Sequence, residues 1–233
     1  MEKLGTEYGG WHVPIDIGLD ENSIVYSGGV GEDMSFDILL QDKYGCHMWL
    51  IDPTVKAQVH FEECRHFFLN EAKFSGNIQP DYYKQIRDTF PNFDKINYIN
   101  LGIWNVACSL PFYKQTNESY VSQSLIPKMF GDNHYMVDVD TIKNIMDRNG
   151  HDHIDLLKLD IEGAEINVIN QMLDDGILPR YLLVEYDLLI KKKDSGGATD
   201  RLNRRLLSLG YRILCNIGLN VTYEKAIVVK ISG

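Results

Sequence analysis

The sequence predicts an α/β protein built on a mostly parallel sheet with helices on both faces. Short apolar runs typical of buried strands alternate with segments of helical spacing along most of the chain. The last two apolar runs, residues 211–217 and 221–231, are joined by a short turn, which predicts an antiparallel hairpin at one edge of the sheet.

The composition indicates a globular protein that does not bind nucleic acid. The chain is 44% hydrophobic and 24% charged, and its 33 acidic residues against 23 basic ones give a net charge of −10. This balance argues against nucleic acid as a partner, because phosphates are bound by cationic surfaces. The four cysteines show no C-x-x-C spacing, so we expect a reducing compartment and a cytoplasmic protein. No apolar run reaches the roughly 18 residues that span a membrane.

An aromatic, glycine-rich arm at residues 1–23 precedes a predicted single domain at residues 24–233. We expect the arm to cover the edge of a sheet rather than to close over a ligand, because exposed aromatic residues more often do the former.

The domain opens with a strand at residues 24–26, a glycine-rich turn and a helix. The glycines of the turn allow positive φ and a close approach of the backbone to a ligand. No G-x-G-x-x-G or P-loop pattern is present. Glu32 and Asp33 instead stand where a phosphate would bind, which favours a ligand that carries positive charge.

The second strand, at residues 47–51, ends at Asp52 and Pro53. An acid at this distance from the glycine turn is placed to bind the two hydroxyls of a ribose. The alternative is that Asp52 caps the helix that begins near Val55. Residues 96–103 are predicted as a third strand, and residues 109–113 with 121–126 as a hairpin or flap.

Two further buried strands end in acids. Residues 154–161 lead into Asp160 and Glu162, and residues 181–187 carry Glu185 and Asp187 at their exit. Ligands of open α/β sheets bind outside the carboxyl ends of the strands, so these carboxylates are expected to share one acidic rim with the glycine turn. Capping of the following helices is the alternative for Asp160 and Glu162.

Four segments, taken in order, carry a resemblance to a known family: SGGVGEDMSF, LIDPT, NLGIWN and IDLLKLDIEGAE. Over roughly residues 24–187 the chain resembles the FkbM family of S-adenosylmethionine-dependent methyltransferases. The resemblance implies a Rossmann-like class I methyltransferase fold with a seven-stranded sheet. It also implies O-methylation of a hydroxyl, often on a sugar of a glycan or of a glycosylated metabolite.

Carried over to this sequence, the resemblance places the methionine end of the cofactor at Gly29 and Gly31 and the ribose at Asp52. Many members have an Asp at the start of the first loop, and in this chain Glu32 or Asp33 is the candidate substitute. The candidate cofactor-binding residues are Ser27, Gly28, Gly29, Gly31, Glu32, Asp33, Asp52, Pro53, Asn100, Gly102, Ile103 and Asp160.

The acceptor alcohol must lose its proton during attack, and two routes are open. Asp160, Glu185 and Asp187 are candidate ligands of one Mg²⁺ that lowers the pKa of the acceptor. Alternatively Glu162 or Asp160 acts as the base, with Lys158 or His134 nearby. The candidate catalytic residues are thus Asp160, Glu162, Glu185, Asp187, Lys158 and His134.

The expected partner is a small-molecule or glycan acceptor. Two other functions compete: a nicotinamide-dependent oxidoreductase, which the missing G-x-G-x-x-G disfavours, and a non-catalytic binding module, which the altered first loop favours.

Overall fold

The computed structural model describes residues 1–70, 74–75, 78–114, 122–127, 132–190, 194 and 197–226. The strands are β1 (Glu2–Leu4), β2 (Trp11–Val13), β3 (Ile24–Gly28), β4 (His47–Ile51), β5 (Ile96–Ile99), β6 (Gly102–Ile103), β7 (Cys108–Lys114), β8 (Gln123–Ser124), β9 (His134–Asp140), β10 (Leu156–Leu159), β11 (Tyr181–Glu185), β12 (Tyr211–Ile217) and β13 (Asn220–Lys225). The helices are α1 (Ser35–Tyr44), α2 (Val55–Asn70), α3 (Tyr82–Ile86), α4 (Ile142–Asn149), α5 (Glu165–Asp174), α6 (Asp187–Ile190) and α7 (Ala198–Ser208).

The main sheet has seven strands in the order β12-β13-β11-β10-β3-β4-β5. The five central strands, from β11 to β5, are parallel to one another. Strand β13 runs antiparallel to both β11 and β12. The predicted α/β fold, with a mostly parallel sheet and a C-terminal antiparallel hairpin, is therefore confirmed. The predicted end of the last strand, at residues 227–231, lies outside the described residues.

Strand β10 lies at the centre of the sheet because both of its faces are apolar. Its four residues are all buried. Leu157 and Leu159 belong to one core, which includes residues of α4, α5 and α7, whereas Leu156 belongs to a second core with residues of α1 and α2. Successive side chains of a strand point to opposite faces, so this pattern places helices on both sides of the sheet.

The prediction of one continuous strand over residues 96–103 is wrong. The structure divides it into β5, which completes the main sheet, and β6, which pairs with β9 in a separate four-stranded sheet of order β6-β9-β7-β8. A tight turn separates the two, in which the Leu101 N–H donates to the Ile99 carbonyl at 2.9 Å. The chain thereby leaves the main sheet and begins the second one next to the ends of the parallel strands.

Two predicted boundaries also shift. Helix α5 begins at Glu165 rather than at Glu162, because residues 160–163 form an irregular turn with positive φ at Glu162 and Gly163. Strand β11 stops at Glu185, and Asp187 begins the short helix α6 instead of ending the strand.

The arm packs onto the domain as an antiparallel pair of short strands, β1 and β2. Trp11 and Val13 are buried in the second core, and the Thr222 hydroxyl of β13 donates to the His12 carbonyl at 2.8 Å. None of the helices among the described residues is long and apolar enough to cross a membrane.

Candidate functional site

A cavity of about 530 Å³ opens where the parallel strands end and the second sheet begins. Its size lies within the range of small-molecule sites. The arm, the loops after β3, β4 and β10, and parts of the second sheet form its wall, which comprises Tyr8, Gly9, residues 29–33, residues 51–54, Ile78, Gln79, Gly102, Ile103, Phe112, Ser122, Gln123, Leu125, Lys158 and residues 160–162.

The glycine turn after β3 lies against the end of β10. Gly29 has a φ of +77°, and a Cβ added there would lie 1.7 Å from the carbonyl oxygen of Asp160. Gly31 has a φ of +58° and open space around the position of a Cβ. Any side chain at Gly29 would separate the two loops, so glycine is required there by contact as well as by conformation.

Asp52 holds the glycine turn from the next strand. One carboxylate oxygen accepts the N–H groups of Val30 at 2.9 Å and Gly31 at 3.0 Å. The other accepts the N–H and the hydroxyl of Thr54, at 2.8 and 2.6 Å. Asp52 thus joins the turn to the start of α2 and lies in the cavity wall. Its predicted contact to a ribose stays a prediction, and it would have to be added to four hydrogen bonds already formed within the chain.

The two acids of the turn have different surroundings. Glu32 lies in the cavity wall with one carboxylate oxygen 3.8 Å from the ammonium of Lys56. Asp33 faces the arm: its carboxylate accepts the Thr6 hydroxyl at 2.5 Å and the N–H and hydroxyl of Ser35 at 3.0 and 2.6 Å. Of these two acids, Asp33 is therefore the one that binds the arm, and Glu32 is the one that lies near Lys56.

Lys158 is a buried cation beneath the cavity. Its side chain projects from β10, is 4% exposed, and donates to the Gly29 carbonyl at 2.5 Å. The ammonium lies 4.0 Å from the Asp160 carboxylate and 5.7 Å from the ring centre of Trp11. Lys158 therefore stabilises both the glycine turn and negative charge on Asp160.

The turn after β10 is strained. Glu162 has a φ of +55°, a conformation that residues other than glycine adopt at an energetic cost. Its carbonyl accepts the Ser124 hydroxyl at 2.5 Å, and Glu165 accepts the N–H groups of Ile161 and Gly163, both at 3.0 Å. These contacts hold the side chains of the turn against the cavity. Sequence reasoning did not select Glu165, although an acid in the first turn of a helix is a recognised signal.

The predicted carboxylates at the ends of β10 and β11 lie close enough to perturb one another. Burial raises the pKa of Asp160, and the Lys158 cation opposes this rise. Burial and the neighbouring charge of Asp160 raise the pKa of Glu185 to about 8, and the two carboxyl groups share a hydrogen bond. Burial, with the charges of Glu162 and Glu165 next in importance, raises the pKa of Asp187 to about 10. Glu185 is therefore the member of this pair that keeps its proton at neutral pH.

The predicted magnesium site does not fit this arrangement. Within the part of the chain that the structure describes, no group of three or more His, Cys, Asp or Glu side chains is placed to hold a metal ion. Asp187 is only 8% exposed and begins α6 away from the cavity wall. Glu185 is hydrogen bonded to Asp160 through a proton that a cation would have to displace.

The structure does not bring every predicted residue to the cavity. His134 is exposed at the start of β9, where its ring lies 5.4 Å from that of Tyr113. Asn100 is exposed, and its side-chain amide donates to Gln58 at 3.4 Å. Ser27 and Gly28 lie in β3 below the cavity wall. Gly102, Ile103 and Pro53 do line the cavity, as predicted.

The wall also contains residues that the sequence interpretation did not select. Tyr8 and Gly9 of the arm line the cavity, so the expectation that the arm only covers a sheet edge is wrong. Phe112 of β7 and Ser122, Gln123 and Leu125 in and around β8 also line the cavity. No short motif signals these residues, because the connection between strands decides which of them reach the cavity.

Comparisons with known proteins give one family match and several solved structures of low similarity. A model of the methyltransferase FkbM domain matches residues 32–213. A search of curated proteins gives no match. Solved structures of similar shape include a fibrillarin/Nop5p complex, with a TM-score of 0.43 and 10% identity over 90% of this chain and 75% of that chain. A human methyltransferase 10 domain containing protein has a TM-score of 0.38 and 10% identity, over 89% of this chain and 74% of that chain. M. jannaschii TYW2 in complex with AdoMet has a TM-score of 0.36 and 10% identity, over 90% of this chain and 72% of that chain.

Proposed function

The chain belongs to the FkbM methyltransferase family, and we propose that it transfers the methyl group of S-adenosylmethionine to a hydroxyl of a sugar, in a glycan or a glycosylated metabolite. The observation that carries this proposal is the cavity at the carboxyl ends of β3, β4 and β10, where a glycine turn without side chains lies directly against an acidic turn. The family match and the strand order support a S-adenosylmethionine-dependent methyltransferase.

The residues present fit the cofactor. Gly29 and Gly31 leave backbone exposed in the cavity wall, Ile103 and Pro53 add apolar surface, and the carboxylates suit a ligand that carries a sulfonium and an ammonium charge. The cofactor supplies a methyl group already activated on sulfonium, so the protein has to position the acceptor and remove its proton.

We assign Asp160 as the general base. Its carboxylate lies in the cavity wall, and its pKa is raised by burial, which makes it a stronger base than an ordinary aspartate. Lys158, 4.0 Å away, keeps enough negative charge on Asp160 for it to accept a proton. Glu185, whose raised pKa keeps it protonated at neutral pH, donates the hydrogen bond between the two carboxyl groups, so Asp160 is the carboxylate that takes the proton of the acceptor. No step in this scheme passes through a metal ion.

A sugar acceptor matches the polarity of the cavity wall. Glu32, Asp52, Asp160 and Glu162 line it, and carboxylates are hydrogen-bond acceptors that pair with the many O–H donors of a sugar. The same charges repel phosphate, which disfavours a nucleic acid acceptor. Apolar surface from Phe112 and nearby residues suits the C–H faces of a sugar ring.

The proposal is tested by methyl transfer from trideuteromethyl S-adenosylmethionine to a panel of p-nitrophenyl glycosides, with products identified by mass spectrometry and the methylated atom by NMR. We expect an O-methyl glycoside from the wild-type protein and no product above background from Asp160→Asn. Calorimetry should show that Asp160→Asn binds S-adenosylhomocysteine within a few-fold of wild type. Full turnover by Asp160→Asn would remove this residue from the chemistry, and a product methylated on nitrogen or carbon would contradict transfer to oxygen.

A further inference from the structure

Tyr8 is an aromatic side chain that the proposed reaction has not used, although it lies in the cavity wall. It is 63% exposed, whereas Trp11 of the same arm is 2% exposed and packs in the core. An aromatic ring left exposed at the cavity has no role in the core of the folded chain. It is therefore available to contact a bound molecule.

The arm holds Tyr8 in place through a defined set of hydrogen bonds, which we name the arm latch and which comprises Thr6, Gly9, Asp33 and Ser35. The Thr6 hydroxyl donates to Asp33 at 2.5 Å and accepts the Gly9 N–H at 2.9 Å, and the Thr6 N–H donates to the Ser35 hydroxyl at 2.8 Å. A Cβ at Gly9 would lie 2.7 Å from the Asp33 carboxyl carbon. Thr6 and Gly9, on either side of Tyr8 in the sequence, thus contact Asp33 of the glycine turn and fix the position of Tyr8.

The surroundings of Tyr8 point to the acceptor side of the cavity. Partial burial, followed by the charges of Asp160, Glu162 and Glu185, raises the pKa of Tyr8 to about 12, so its hydroxyl stays protonated and is a donor. These acids lie after β10 and β11, where the proposed base is. The groups proposed for the nucleoside, Asp52, Gly102 and Ile103, follow β4 and β5, which lie on the other side of β3 in the sheet.

We propose that Tyr8, held by the arm latch, is a specificity-determining residue that contacts the sugar acceptor, with its ring against a C–H face of the sugar and its hydroxyl as a donor to a sugar oxygen. This inference rests on the proposed function. The family match begins at residue 32, so Tyr8 lies outside the matched region.

The test compares Tyr8→Ala, Tyr8→Phe and Thr6→Val with Ile15→Ala in the full chain. Ile15 is a matched control because it belongs to the same arm and is 60% exposed, but it does not line the cavity. The probes are p-nitrophenyl glycosides for acceptor kinetics and S-adenosylhomocysteine for calorimetry. Since Tyr8 is exposed, its removal leaves the core intact, and a melting temperature confirms folding for each variant.

We expect Tyr8→Ala to raise the KM for the glycoside at least about tenfold, equivalent to about 1.4 kcal/mol, with kcat and the affinity for S-adenosylhomocysteine changed less than threefold. Thr6→Val should move the KM in the same direction, Tyr8→Phe should have an intermediate effect, and Ile15→Ala should have none.

An unchanged glycoside KM in Tyr8→Ala would overturn the inference. It would also be overturned if the affinity for S-adenosylhomocysteine fell by as much as kcat/KM, because Tyr8 would then cover the cofactor. A wild-type protein that binds no S-adenosylhomocysteine or methylates no glycoside would instead refute the proposed function on which the inference depends.

Discussion

Replacement of Gly29 by alanine is the sharpest perturbation of the contact between the glycine turn and the end of β10. The added Cβ would lie 1.7 Å from the Asp160 carbonyl oxygen, whereas ordinary contacts begin at 3.4 Å. One of the two turns must therefore move by about 1.7 Å, the difference between these distances. Gly31→Ala is a matched control in the same loop, because its φ is also positive but no atom lies within 4 Å of the added Cβ.

The two substitutions share one energetic cost and differ in the other. A left-handed conformation costs a residue with a Cβ about 1–2 kcal/mol, and forced overpacking costs a further 1–3 kcal/mol or so. At roughly 2–4 °C per kcal/mol for a chain of this size, Gly31→Ala should lower the melting temperature by about 2–8 °C and Gly29→Ala by about 4–20 °C. Misplacement on the order of 1 Å costs about a hundredfold in rate, so Gly29→Ala should also lose nearly all turnover.

The assays are thermal unfolding followed by circular dichroism, without ligand, and calorimetric titration with S-adenosylhomocysteine. We expect Gly29→Ala to melt below Gly31→Ala and to bind S-adenosylhomocysteine at least about tenfold more weakly than wild type. Equal melting temperatures for the two variants, together with wild-type affinity in Gly29→Ala, would show that the turn tolerates a side chain against β10. Glycine would then not be required at position 29 by contact.

Two further predictions concern protonation. Lys158→Met removes the cation that opposes the raised pKa of Asp160, so the acidic limb of the profile of kcat/KM against pH should move to higher pH; an unmoved limb would argue against Asp160 as the base. Folded Asp187 has a pKa of about 10 against an ordinary value of 3.8, so it keeps a proton that the unfolded chain releases, and stability falls as pH rises between these values. Asp187→Asn should therefore flatten the decline in unfolding free energy between pH 5 and pH 8, by up to about 1.4 kcal/mol per pH unit in urea titrations. Asn in place of the exposed Asp16 is the control and should leave the decline unchanged. A decline that Asp187→Asn does not flatten would mean that Asp187 is ionised in the fold.

The sequence predicts the main sheet well because the signals there are local. A strand buried on both faces, such as β10, requires a mostly apolar run, which Lys158 alone interrupts in β10, and β4 was predicted with the residues that the structure assigns to it, His47–Ile51. In the second sheet, the hairpin predicted at residues 109–113 with 121–126 is confirmed, since β7 pairs antiparallel with β8. The sheet as a whole was not predicted, because β6 and β8 have only two residues each. Strands of that length carry no periodicity, and their pairing is decided by contacts between distant segments.

The same difference between local signals and long-range contacts decides which residues of the candidate site were predicted. Gly29, Asp52 and Asp160 were found because each lies at or near the end of a predicted strand, and parallel strands end at one edge of the sheet. Tyr8 was not assigned to the site because its position depends on the hydrogen bond between Thr6 and Asp33, 27 residues apart in the sequence. The protonation of the acids could not be predicted from spacing alone, since the raised pKa values of Asp160 and Glu185 follow from their burial and mutual proximity in the fold.

The most direct test of the central claim is a crystal structure of the protein with S-adenosylhomocysteine. We expect the nucleoside of S-adenosylhomocysteine to lie in the cavity of about 530 Å³. The amino acid end of the ligand should lie at Gly29 and Gly31, and its sulfur should face the side of the cavity that holds Asp160. A nucleoside bound outside this cavity, or density showing its sulfur turned away from Asp160, would contradict the account.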